Sequence, residues 1–272
     1  MELRADDVLV LAVKTQDSVA ALDAWSGRPV AGGGTAGEVL PLVCAQNGVE
    51  SERLALRRFR RVYAMCVYLP ATFVEPGAVS AAGEPVTGIL HLGRFPDGVD
   101  ETALRIAADL EKSHFLVPVV PDVMRWKYGK LLSNLLNSLN AVSGTEALSS
   151  PAGRDLVART VAEGRAVLEA AGIAVASDEE QAGAREGRIA MAVLEGEAPA
   201  GGSSWQSLVR GTGSIEADYL NGEIVLLGRT HGVATPANAV LQRVANECAR
   251  EGLGAGRLGV EEVVAMVEAE AG

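Results

Sequence analysis

The stretch from Trp126 to Asn140 constrains this chain more than any other, because as a helix it has two unlike sides. At about 100° per residue, Leu131, Leu132, Leu135, Leu136 and Leu139 gather on one side. Lys130, Asn134 and Asn137 gather on the other, with Ser133 and Ser138 at its margins. A leucine side of this width has to be buried against further elements. The polar side is unusual, since solvated faces favour Glu, Lys, Arg and Gln, and Asn and Ser are weaker helix formers. One lysine among short amides and hydroxyls suits a cleft where a cation and hydrogen-bond donors meet a polar small molecule. A solvated face of poor helix propensity is the plainer alternative.

Upstream of this stretch the signals alternate between strand and helix. Val8 to Val13 is a continuous apolar run of strand length ending at Lys14, as expected of a buried parallel strand. Asp17 to Trp25 reads as a helix, with Asp17 or Ser18 as N-cap. Val39 to Ala45 is a second apolar run, closed by Gln46-Asn47-Gly48; Arg61 to Leu69 is a third and Val86 to Leu92 a fourth. This pattern predicts a parallel sheet with crossover helices. Gly32-Gly33-Gly34 follows no strong strand and lacks a Walker lysine, so it reads as a flexible insertion rather than a phosphate loop.

Beyond Pro118 and Pro121 the pattern becomes helical. Helices are expected over Asp122 to Leu139, Pro151 to Ala171 (with Asp155, Glu163 and Arg165 outward) and Asp178 to Glu195. A loop follows over Gly196 to Gly202, then a helix through Trp205 and Leu208, and one from Ile215 to Gly228. Thr235-Pro236 supplies an N-cap and an N1 proline for the next, and Val260 to Ala271 is an acidic amphipathic surface helix. The fold class is α/β plus all-α, with residues 1–119 as the sheet domain and 120–272 as the helical one.

Composition narrows the function. A net charge of −11 with no compensating basic stripe argues against nucleic acid, and Arg57, Arg58, Arg60 and Arg61 read as the outer face of a surface helix. No apolar run is long enough to span a bilayer, so no membrane partner is expected. Cys44, Cys66 and Cys248 are odd in number and set among apolar residues, as befits reduced thiols in the cytoplasm. The three histidines are isolated from one another, and no Cys/His spacing suggests a metal site.

Five segments carry a family resemblance. They are Val8 to Lys14 with Gln16-Asp17; Gln46-Asn47-Gly48-Val49; Trp126 to Asn134; Ser203-Ser204 followed by Arg210 and Ile215 to Gly222; and Gly228 to Asn238. In this order the chain resembles the ketopantoate reductases (2-dehydropantoate 2-reductases). The resemblance implies a Rossmann-type domain that binds NADPH. It also implies a helical domain of the 6-phosphogluconate dehydrogenase C-terminal-like type, which binds substrate and leaves room for a homodimer. The implied reaction passes hydride to the ketone of ketopantoate, a small 2-oxo acid, giving pantoate for coenzyme A synthesis. Position by position, Lys130 matches the general acid and Asn47 the asparagine where cofactor meets substrate. Asn134 matches a substrate-binding amide, and Ser204 the serine that holds the substrate carboxylate. Glu216 matches the acid on the substrate hydroxyl, and Lys14 a strand-end lysine on the cofactor side.

The chemistry is coherent without the family. A ketone accepting hydride develops negative charge on oxygen, which a nearby ammonium both stabilises and protonates. A carboxylate such as Glu216 near the lysine would keep it charged and aligned, or anchor a hydroxyl. On the residues alone, plainer roles stay open: a helix N-terminal acid for Glu216, an N-cap for Ser204, a turn-former for Asn47. His231 before Gly232 reads as a helix C-terminal residue, not a catalyst.

Two departures from the family pattern qualify this picture. Where members carry a second substrate-side asparagine, this chain has Ser138, which opens the specificity to a different 2-oxo acid. Members also begin with strand–Gly-x-Gly-x-x-Gly–helix, whereas this sequence starts near the fourth strand, so NADPH binding is expected to be severely weakened and an apolar sheet edge exposed. The rival to a reductase is accordingly a family remnant serving as a ligand-binding or dimerisation module.

Overall fold

The computed structural model describes residues 2–192 and 201–272. The chain divides into two compact units. The first takes residues 1–70, 81–130 and 175–193; the second takes 71–80, 131–174 and 194–272. The division therefore falls inside the Val123–Asn134 helix rather than at 119/120, and each unit is assembled from separated segments.

The first unit is built on a five-stranded sheet. Leu9–Leu11, Pro41–Cys44 and Arg61–Tyr68 run parallel, in register Leu11↔Cys44 and Cys44↔Ala64. Gly88–Arg94 then pairs antiparallel to Arg61–Tyr68, and Phe115–Leu116 runs parallel to Gly88–Arg94. The all-parallel expectation fails at the fourth apolar run for a topological reason. A parallel return needs a long crossover, usually a helix, and between Tyr68 and Gly88 the chain forms only short two-stranded segments.

Both sheet faces are covered, which explains apolar runs without alternation. Leu42, Cys44 and Val62 pack on one face with Leu11, Leu22, Leu40 and Phe59. Val43, Tyr63 and Met65 pack on the other with Leu90, Leu92, Ile106 and Val117. Leu9–Leu11 lies at the end of the strand order among the described residues, and its Val10 is 59% exposed. Gly32, Gly33 and Gly34 all have positive φ and form a tight turn closed by Val30 N–H donating to Gly34 O at 3.1 Å. Only glycine adopts that backbone without strain, so this segment is a turn between Val30 and the Ala36–Val39 helical turn.

The second unit is helical. Pro151–Ala170, Asn221–His231, Pro236–Glu251 and Val260–Ala271 surround a core that includes Leu139, Leu156, Leu208, Leu241, Val244 and Val263. The tail helix buries Val260, Val263 and Val267, and Asn221–His231 ends at His231 with Gly232 left-handed, as its sequence implies. The expected Asp122–Leu139 helix is broken: one helix ends at Asn134 and another runs from Asn137 to Ser143. At the break the Leu135 carbonyl accepts from Asn221 Nδ2 at 3.0 Å. Leu132 and Leu135 come so close to Gly164 that a Cβ there would meet both at 2.8 Å.

The expected helix over Asp178 to Glu195 is shorter, Asp178–Arg185, followed by a strand at Ile189–Met191. Its last part, and most of the expected Gly196–Gly202 loop, lie outside the described residues. Among the described residues, no helix is long and apolar enough to cross a membrane.

Candidate active site

In the first unit, two parallel strands end side by side. Lys14 lies three residues beyond Leu11 and Asn47 three beyond Cys44, the register partners at the strand ends. A buried hydrogen bond from Gln46 Nε2 to Ser18 Oγ, 2.7 Å, ties the two strand-end loops together. Lys14 is half-buried in extended backbone at the start of the Thr15–Asp17 turn. Ligands of α/β sheets bind outside such carboxyl ends.

Asn47 meets Lys130 here. The Lys130 ammonium donates to Asn47 Oδ1 at 2.7 Å and also to the Val67 carbonyl. It lies 5.3 Å from the centroid of the Tyr68 ring, within cation–π range. Two neutral oxygens and an aromatic face thus hold one cation in place. Because its oxygen accepts from the ammonium, the Asn47 amide presents its N–H₂ on the other side, available as a donor.

Lys130 lines a cavity of about 400 Å³ together with Val67, Tyr68, Leu69, Pro70, Arg185, Ile189, Ala190 and Met191. The Tyr68 hydroxyl is engaged elsewhere, donating to Gln181 Oε1 at 2.7 Å, and burial pushes its phenol above the ordinary range. The ring face, not the hydroxyl, meets the ammonium.

A buried ion pair fixes the elements that carry Asn47 and Lys130. Lys127, 2% exposed, pairs with Glu52, 0% exposed, on the Ser51–Leu56 helix that follows the Asn47 turn. Burial raises the Glu52 carboxyl, and the Lys127 charge opposes that shift. Lys127 and Lys130 are three apart, so they share one side of a helix. That spacing is visible in the sequence, but the burial of one and not the other is not. Tyr68, Arg185, Lys127 and Glu52 are the site residues sequence reasoning missed; the first two come from segments remote in sequence, and no motif joins them.

The remaining candidates, Asn134, Ser138, Ser204 and Glu216, belong to the second unit. Asn134 follows Lys130 by one turn and its buried Nδ2 has no hydrogen-bond partner. Ser204 is fully buried, its Oγ likewise unpartnered, within the Ser203–Val209 helix. The N-cap of that helix is Gly202, so capping does not explain Ser204. Glu216 is 2% exposed and opens the Glu216–Tyr219 3-10 turn. Ser138 is committed elsewhere: its Oγ donates to Asn221 Oδ1 at 2.6 Å, and Asn221 donates to Asn238 Oδ1 at 3.0 Å. The break after Asn134 puts Ser138 on the next helix, Asn137–Ser143, where its hydroxyl joins this scaffold.

Among the described residues no cluster of three His, Cys, Asp or Glu side chains could hold a metal ion. A dinucleotide is a partial fit. Lys14 and Asn47 offer a cation and an amide at the strand ends, yet no described strand leads through a glycine-rich turn into a helix, the cradle a pyrophosphate requires.

Comparison with known proteins follows the same two halves. Residues 2–97 match the family model described as ketopantoate reductase PanE/ApbA, and residues 122–249 match ketopantoate reductase PanE/ApbA C terminal. A 2-dehydropantoate 2-reductase from Halobacterium salinarum is 27% identical over 186 residues, 67% of this chain. The aligned region covers 58% of that protein, so the chain spans less than two thirds of that relative's length. A PanE/ApbA family ketopantoate reductase from Ralstonia eutropha superposes with a TM-score of 0.70 at 22% identity, over 91% of this chain and 77% of that one. A D-mandelate dehydrogenase in ternary complex with NADH and anilino(oxo)acetate superposes at 0.73 with 21% identity, over 93% and 79%. Such likenesses show a shared fold. With both halves matched in the family's order, the chain belongs to the ketopantoate reductase family.

Proposed function

We propose that the chain reduces a small 2-oxo acid, ketopantoate (2-dehydropantoate) or a close relative, to the 2-hydroxy acid, with NADPH as hydride donor. The observation that carries this reading is the Lys130 ammonium held on Asn47 and lining a largely apolar cavity. A bound reduced nicotinamide supplies the hydride that adds to the ketone carbon. As the carbonyl π electrons move onto oxygen, Lys130 Nζ gives that oxygen its proton and later regains one from solvent. Asn47 fixes the ammonium with its oxygen and offers its N–H₂ to the reacting pair, while Lys14 faces the nucleotide. Asn134 donates to the substrate, Ser204 to its carboxylate, and Glu216 takes its hydroxyl, each by family resemblance. A homodimer in the cytoplasm fits the family and the three buried free cysteines.

The decisive assay mixes the purified chain with NADPH and ketopantoate and follows loss of the reduced nicotinamide. Turnover is expected, and Lys130→Ala should lower kcat roughly a hundredfold to ten-thousandfold with little change in Tm. Equal turnover by the variant would remove Lys130 from the chemistry. A second reading is a module that binds a 2-oxo acid without NADPH. A fluorescence titration with NADPH separates the two, since saturable binding excludes the second.

A further inference from the structure

We propose that Arg185 is the carboxylate anchor of the Lys130 cavity, and that the wall beside it selects 2-oxo acids with a bulky apolar side chain. The inference rests on the 2-oxo acid reading above and names the substrate class within it. Arg185 ends the Asp178–Arg185 helix, is half-buried, and lies over the Tyr68 ring, its guanidinium carbon 5.1 Å from the centroid. The Lys130 ammonium lies 5.3 Å from the same centroid, and both cations line one cavity. Arg125, on the neighbouring helix, pairs with Glu180 at 2.5 Å, but among the described residues no carboxylate pairs with Arg185. A cation at a helix C-terminus is ordinarily explained by the dipole, yet this side chain lies on Tyr68, and no hydrogen bond ties it to its own helix's carbonyls.

A 2-oxo acid has two polar groups on adjacent carbons, a ketone and a carboxylate. Lys130 suits the ketone oxygen, where a single proton must be delivered. A guanidinium suits the carboxylate, because its planar fork donates two parallel hydrogen bonds and neutralises the charge. The serine hydroxyl assigned to the carboxylate by resemblance donates one hydrogen bond and neutralises nothing. The rest of the cavity is apolar, lined by Val67, Leu69, Ile189 and Met191. The last two sit on a strand paired with Gly83–Pro85 and continued by Ala192 N–H donating to Ala82 O at 2.7 Å. A wall fixed in this way has a shape to which an alkyl or aryl side chain can be matched.

The test is calorimetric titration of the full chain, with and without NADPH, using 2-oxoisocaproate, its methyl ester and pyruvate. The native chain should bind 2-oxoisocaproate more tightly than either comparison ligand. Arg185→Met should weaken 2-oxoisocaproate roughly tenfold to a hundredfold and leave the ester unchanged. Arg185→Lys, which keeps the charge and loses the fork, should fall between them, and provides the comparison if the methionine variant does not fold. Undiminished binding of the acid by either variant would overturn the anchor while leaving a 2-oxo acid reductase intact. Pyruvate binding as tightly as 2-oxoisocaproate would overturn the selective wall. Failure of the native chain to bind any 2-oxo acid would overturn the functional reading, and the anchor with it.

Discussion

His91 is 2% exposed and stacked on the Trp126 indole, ring centroids 4.1 Å apart and planes 16° from parallel. Its Nδ1 is buried without a hydrogen-bond partner. Burial first, and the Arg188 charge second, hold the imidazole down at about 4 against an ordinary 6.5. Between those values the unfolded chain binds more protons than the folded one, so stability rises with pH through that window and is lost as pH falls through it. The difference in protonation is worth roughly 3 kcal/mol. Urea unfolding of the native chain and of His91→Phe, which keeps a stacking ring, should diverge as pH drops from neutral toward 4, with the native chain losing more. Parallel curves would mean that His91 is not held neutral. At this scale the sequence is legible where one residue type carries the chemistry: Lys130 was identifiable because a lone cation among amides is an odd composition for a helix face. It is illegible where burial decides. Three residues apart on one helix, Lys127 is sealed against Glu52 and Lys130 opens on a cavity, and both are simply lysines in the sequence.

Helix ends show how neighbours override local signals. Thr235-Pro236 reads as a capped start, and the helix does begin at Pro236, but the Thr235 side chain makes no cap hydrogen bond. The cap comes from Glu163 on the Pro151–Ala170 helix, which accepts from Ala237 N–H at 2.9 Å, Asn238 N–H at 3.0 Å and Asn238 Nδ2 at 2.8 Å. Periodicity, which sees only its own helix, places Glu163 outward. A carboxylate is also the preferred partner of an N-terminal dipole. Removing it strands two backbone donors and one of the two N–H groups of the Asn238 amide, whose other bonds go to Thr160 and Asn221, so Glu163→Ala should lower unfolding free energy by about 1–3 kcal/mol. Thr235→Val, which deletes only the hydroxyl, should stay within about 0.5 kcal/mol. Urea midpoints give both numbers, and a larger loss for Thr235→Val than for Glu163→Ala would reverse the assignment of the cap. The break after Asn134 is the same lesson in another place: Asn221 satisfies the Leu135 carbonyl, so the helix can end there although the leucine pattern continues. Periodicity places residues on a face only while the helix lasts.

Over the whole molecule, fold class followed from the order of strand and helix signals, because each signal is local. The division into units did not, because it depends on segments that return. Residues 175–193 rejoin the first unit after the chain has entered the second. Arg125 pairing with Glu180 and Tyr68 donating to Gln181 show the contacts that bring them back. The three free cysteines sample this division: Cys44 and Cys66 lie in the first unit and Cys248 in the second. All three are buried, at 0%, 1% and 1% exposure, and burial is the leading cause that raises each thiol above its ordinary range. A thiolate is the reactive form, so in the folded chain each is shielded twice, by access and by protonation. Native protein treated with a maleimide should therefore show no modified cysteine by mass spectrometry, and fully denatured protein three. At intermediate urea, Cys44 and Cys66 should become reactive together, since both sit on adjacent strands of one sheet, and the position of Cys248 on that scale reports the second unit by itself. Prompt labelling of Cys44 or Cys66 in native buffer would mean that the sheet opens locally, and with it the strand ends that hold Asn47 beside Lys130.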